Sequence, residues 1–153
     1  PERNIMRRKP FHPRESIFSR GLGPHIIWVG ILMAAVSLVM GYEFWAFERE
    51  DWQTMVFTTL TFSQMAHVLA IRAGNDSLFK AGLFSNTPLF LAVLLTFVLQ
   101  LAVVYVPVFQ GVFDTVSLPA GDLALSILLA SIIFWAVEIE KFVLRRIETK
   151  ARP

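Results

Sequence analysis

The stretch Pro88–Pro107, PLFLAVLLTFVLQLAVVYVP, holds twenty residues without one charge. About 20 mostly apolar residues make a helix long enough to cross the roughly 30 Å of hydrocarbon in a bilayer. The run lacks the alternation of a half-buried strand and is too long for one. It is therefore read as a spanning helix. The flanks agree: Asn86 and Thr87 precede Pro88, offering a cap and then a proline where its missing N–H costs nothing. Pro107 closes the run.

Three further windows pass the same test. They are Pro24–Tyr42, Trp52–Ile71 and a longer one from about Leu118 to Leu144. The last has Ser117, Pro119 and Asp122 at its start, where an acidic group favours a helix N-terminus. Composition points the same way. The chain has 153 residues, 55% hydrophobic and only 17% charged, against about 25% charged for a soluble domain. The expected fold class is an all-α membrane protein, a bundle of four transmembrane helices. Residues 1–23 form a lead, 24–144 the four-span domain and 145–153 a basic tail.

Basic residues orient the bundle. The lead holds six, the loop between spans two and three holds two (Arg72 and Lys80), and the tail from Lys141 holds five. With four spans these segments share one side, which collects 13 of the 14 lysines and arginines. Only Arg49 lies opposite. The cytoplasmic side carries the Lys/Arg excess, so both termini are expected to be cytoplasmic. The outer loop Glu43–Asp51 is acidic and reads as a solvated loop, or as a mouth that gathers cations. The loop Gln110–Gly121 reads as a plain connector. In the lead, Ile17, Phe18 and Leu22 among Arg14 and Arg20 suit a membrane-surface segment. The loop after span two could start a short helix at Asn75 or Asp76. The chain begins at Pro1 with no signal-like core after it, and reads as a piece of a longer protein.

The second span is the least apolar, and its sequence TLTFSQMAHVLAIR (Thr59–Arg72) puts polar groups at membrane depth. Such groups are costly unless they face other helices or a watery path. At about 100° per residue, Ser63, His67 and Gln64 cover an arc of about 100°. The helix is expected to pack inside the bundle. Gln64 and His67 can hydrogen-bond to a neighbouring helix. Alternatively, the Gln64 amide oxygen coordinates a passing hard cation, which prefers oxygen ligands, with His67 the weaker candidate. One amide and one imidazole are too few for a cage, so such a site must borrow ligands. Gln100 reads as inter-helix glue, and Glu138 and Lys141 as an i,i+3 ion pair. Glu138, the deeper of the two late glutamates, is the preferred inter-helix contact over Glu140. His25 lies at a membrane boundary.

No cysteine is present, nor a P-loop, a dinucleotide fingerprint, HExxH or CxxC. No catalytic residue and no bound cofactor is assigned to this chain, and no nucleic-acid partner. A self-contained four-helix protein with a binding or assembly role fits these features.

An ordered set of segments resembles a known family. PERNIMRRKP, RESIFSR, QTMVFTTLTFSQMAHVLAIR, the run from Ser77 to Phe113, and AVEIEKFVLRR are similar to the C-terminal membrane region of P-type cation-transporting ATPases, especially bacterial calcium-pump-like members. There they form the last four of ten spanning helices. The resemblance implies a translocase that moves a cation such as Ca2+, with ATP and Mg2+ used by domains upstream of this chain. It implies as partners the lipid bilayer, the upstream helices and cytoplasmic domains, and the transported cation. It implies a bacterial plasma membrane as the location. It also places Gln64 where calcium pumps of the sarcoplasmic-reticulum type have a carboxylate ligand. His67 stands where sodium-potassium pumps have an Asp. Both departures remove negative charge. Alone, this chain is expected to lack ATPase activity.

Overall fold

A computed structural model describes residues 22–72, 82 and 86–150. Five helices form among them: α1 (Leu22–Ala46), α2 (Trp52–Ile71), α3 (Thr87–Tyr105), α4 (Pro107–Phe113) and α5 (Ala120–Lys150). No described residue is in a strand. Four helices contain segments long and apolar enough to cross a membrane: Gly23–Ala46, Trp52–Ile71, Thr87–Tyr105 and Ala120–Ile147. The fold is thus an all-α membrane bundle. The surface segment of the lead and the helix start at Asn75 or Asp76 lie outside the described residues.

The helix ends follow local chemistry. The Asn86 side chain accepts a hydrogen bond from the Leu89 N–H at 3.2 Å, capping α3, and Pro88 lies in its first turn. At the other end Pro107 cannot donate to a continuing helix and forces the residue before it out of the helical region. Val106 is accordingly extended (φ −95°, ψ 119°), and the chain restarts as α4. Asp114 ends α4 in the left-handed conformation (φ 53°), where a side chain is strained unless it is short and polar. Asp51 precedes α2 but does not cap it with its side chain; both carboxylate oxygens are taken by Arg49.

Helix directions come from contacts at known registers. Ser126 Oγ on α5 lies 3.2 Å from Met55 Sδ on α2, and Lys141 Nζ donates to the Ala70 carbonyl. Both pairs are 71 residues apart, so α2 and α5 run parallel, side by side. α3 runs antiparallel to α2, with Gln100 against Thr58 and Phe97 stacked on Phe62. α1 is also antiparallel to α2. Its contact needs Gly41: a Cβ there would collide with a Val56 methyl.

Two apolar clusters hold the ends. Val29, Met33, Ala70, Ile133 and Val137 form one, and Phe44, Met55, Val104 and Leu118 the other. α2 is the most enclosed span, with 39% of its apolar window buried against 11% for α3. Leu91, Leu95 and Val98 of α3 are exposed, as befits side chains that face lipid tails.

The segment expected to be a plain connector, Gln110–Gly121, is instead a packed cap, because its backbone groups must be satisfied next to the membrane. Gln110 Nε2 donates to the Val104 carbonyl (2.6 Å) and to Ser117 Oγ (2.8 Å). Thr115 Oγ1 donates to the Val103 carbonyl at 2.7 Å, and Tyr105 to the Leu118 carbonyl at 2.9 Å. The Val116 N–H donates to Thr54 Oγ1 at 2.9 Å, tying the cap to α2.

Gly41→Leu should lower bundle stability by about 1–3 kcal/mol through overpacking, read as a lower unfolding midpoint in detergent. Gly30→Leu, which meets open space, should leave the midpoint unchanged.

Candidate functional site

The polar groups of the described bundle gather at its two ends and along α2. At one end stand the start of α1 and the ends of α2 and α5. His25 Nδ1 donates to Glu140 Oε2 at 2.6 Å, and Trp28 Nε1 donates to Glu140 Oε1 at 2.9 Å. His25 Nε2 and His67 Nε2 lie 3.2 Å apart, within hydrogen-bond reach. This chain links α5, α1 and α2 in turn. The group is partly buried, with side-chain exposures of 17% for His25 and 24% for Glu140. His67 was one of the candidate cation ligands; in the structure it is engaged with His25.

Beside this group, Lys141 is buried and pairs with Glu138 at 3.2 Å, as the i,i+3 spacing predicted. The same ammonium donates to the Ala70 carbonyl, near the C-terminus of α2. A cation there meets the negative end of the helix dipole and a carbonyl that the helix cannot satisfy. Removing one partner of a buried pair exposes the full desolvation cost of the other.

Glu140 makes an inter-helix contact of its own, with His25 and Trp28 of α1. Glu140 lies two residues, about 200°, around the helix from Glu138, and its carboxylate meets α1. A signal was available: His25 opens span one, while His67 and Glu140 close spans two and four, so antiparallel packing puts them at one level. His25 is therefore more than a boundary residue.

Along α2 the expected polar arc is present but divides. Ser63 is fully buried and Thr59 likewise; neither hydroxyl has a hydrogen-bond partner among the described residues, nor does Ser37 of α1. Thr58 accepts a hydrogen bond from Gln100 Nε2 at 3.1 Å in the buried α2–α3 seam, as expected of glue. Gln64 departs from the expectation that the polar face packs inward. It is exposed, because one residue's 100° step from Ser63 carries it past the edge of the packed face. Gln64 and His67 thus do not meet in a common site. Among the described residues no three His, Asp or Glu side chains are grouped to hold a metal ion.

At the opposite end Arg49 binds Asp51 through two hydrogen bonds, at 3.0 and 2.6 Å, and also Asp122 at the start of α5. Its guanidinium lies 4.1 Å from the Phe44 ring centroid. Hydrogen bonds to Asp51 and then Asp122 hold the Arg49 charge more firmly than usual, raising its pKa. The acidic outer loop is therefore a tie to α5, with two of the nearby carboxylates already neutralised. Arg72, Lys141, Arg145 and Arg146 all lie at the other end, so the charge asymmetry read from the sequence maps onto the two ends of the bundle.

Apolar helices of spanning length, polar groups turned toward one another and a basic end define an integral membrane helix bundle. The chain belongs to the family described as cation transporting ATPase, C-terminus, whose model matches residues 1–143. A calcium-transporting ATPase of Bacillus subtilis is 35% identical over 135 residues, covering 86% of this chain and 15% of that protein. Calcium-transporting ATPase 1 of Saccharomyces cerevisiae is 29% identical over 153 residues, covering 95% and 16%. Calcium-transporting ATPase type 2C member 1 of Bos taurus is 32% identical over 159 residues, covering 99% and 16%. The chain spans less than a fifth of the length of these relatives.

Gln100→Leu should cost about 0.6–2 kcal/mol, the range for a hydrogen bond between membrane helices. Thr58→Val should cost a similar amount. The double variant should be less destabilised than the sum, as a double-mutant cycle on unfolding in mixed micelles would read.

Proposed function

We propose that this chain is the last four transmembrane helices of an ATP-driven P-type cation pump, and that the cation is Ca2+ or another hard ion. The family membership and the calcium-transporting relatives at 29–35% identity support the reading. ATP and Mg2+ then act on domains outside this chain, which supplies no catalytic group. The basic end faces the cytoplasm under the positive-inside rule, and a bacterial plasma membrane is the favoured location. The lead 1–23, the span domain 24–144 and the tail 145–153 are the working division, although α5 carries the first tail residues as helix.

The observation that carries a role at the ion path is the position of Gln64. It is a neutral amide in the middle of the most enclosed span, yet it is exposed on the described surface. An amide at membrane depth is costly toward lipid and is instead expected to face protein or a water-lined path. We assign it to the side of α2 that meets the upstream helices, where its oxygen lines or completes a site whose other ligands lie outside this chain. His67, engaged by His25, positions the end of α2 and is the weaker candidate as a ligand. In the complete pump, Gln64→Ala should lower apparent Ca2+ affinity about 3- to 10-fold, a loss of about 1 kcal/mol, as for one hydrogen bond or neutral ligand, with expression unchanged. Ca2+-dependent phosphoenzyme formation measures it. An unaltered half-saturating concentration would return Gln64 to packing alone.

A further inference from the structure

Glu140, His25 and His67 are in series, and series order constrains where protons can be. The carboxylate at 2.6 Å takes the Nδ1–H of His25. Neutral His25 therefore presents a bare Nε2, and the 3.2 Å contact requires His67 to donate its own Nε2–H. Each ring's tautomer is fixed by its neighbour. The second carboxylate oxygen is held by Trp28 Nε1 at 2.9 Å, so Glu140 is fixed in place.

We propose that these three side chains form a one-proton relay and store at this end of the bundle. A proton from water binds His67 at Nδ1. The His67 Nε2–H bond then breaks as an Nε2–H bond forms on His25. The positive charge appears on His25, beside the Glu140 carboxylate, while His67 ends neutral with its hydrogen on Nδ1. One proton has entered, the hydrogen bond between the rings has reversed direction, and the charge has moved from α2 to α1. A second proton would set N–H against N–H and break the contact, so the intact relay holds one. Among the described residues the other charged groups at this level come from two elements. α5 brings the Glu138–Lys141 pair, then Arg145 and Arg146; Arg72 closes α2. Among its described residues α1 brings no other titratable group at this end. The inference does not rest on the pump reading, because its readout involves no transport.

The chain has only three histidines, His12, His25 and His67, and no cysteine. Nitrogen-15 NMR of the complete, histidine-labelled protein in lipid bilayers isolates the two rings by difference against His25→Phe and His67→Phe. Above the titration His25 should show only the Nδ1–H tautomer and His67 only the Nε2–H tautomer, with a coupling between the two Nε2 nuclei. After one proton, His25 should carry both N–H groups and His67 should have switched to Nδ1–H. Glu140→Gln keeps the shape and removes the charge that draws the proton across, so the cation should then form on His67 with no switch. The proposal is overturned if His67 in the unaltered protein becomes the cation, if the two rings titrate independently of each other, or if Glu140→Gln retains the switch.

Discussion

The parallel seam between α2 and α5 sets the register of everything else. One offset of 71 residues relates Met55 to Ser126 near one end and Ala70 to Lys141 near the other. Two helices joined by a third span and a cap can run parallel only if the intervening chain crosses back once. α3 does this, and α4 with the segment after it closes the turn. Slippage of either helix by one residue would rotate it by 100°. It would pull Lys141 from the α2 carbonyl and Ser126 from Met55 together. Buried polar contacts at both ends therefore fix one alignment. Apolar packing alone, which tolerates sliding among similar side chains in lipid, would not.

With that seam in place, α1 and α3 have defined work. α3 brings one amide, Gln100, to a buried threonine and leaves most of its surface for lipid. α1 brings a glycine to the crossing with α2, and brings His25 to the level of His67 and Glu140. The two ends then differ in kind. One is tied by Arg49, whose planar guanidinium can serve two carboxylates at once. The other has the fixed Lys141–Glu138 pair and, beside it, imidazoles, which can both donate and accept. Ties of fixed charge hold one state, whereas imidazole ties have two.

Much of this was legible without coordinates. An uncharged run of twenty residues can satisfy its backbone in a membrane only as a helix, so span number followed from composition along the chain. The Asn86 cap, the break at Pro107 and the Glu138–Lys141 pair are local: each depends on residues within four positions and on fixed helical geometry. The sequence also held the Gln64–Ser63–His67 arc. What it lacked was the direction of the packed face, since an arc of 100° reaches from a fully buried serine to an exposed glutamine. The connector departs from its expectation for a related reason. Gln110 and Thr115 bond to carbonyls that α3 leaves open, and which carbonyls these are depends on where the chain folds back.

The amino-acid sequence by itself determined four spans, their alternating directions and a strong bias of basic charge toward one end. Hydrocarbon thickness and the cost of bare backbone groups leave no other solution for these runs. Only the tertiary structure decided that α2 lies at the centre beside α5, that Glu140 meets α1, and that two histidines 42 positions apart share one contact. Those outcomes depend on azimuth, the angle at which each helix presents its side chains to neighbours. Hydropathy is nearly the same all round such helices, so azimuth is set by a few polar contacts between segments distant in sequence.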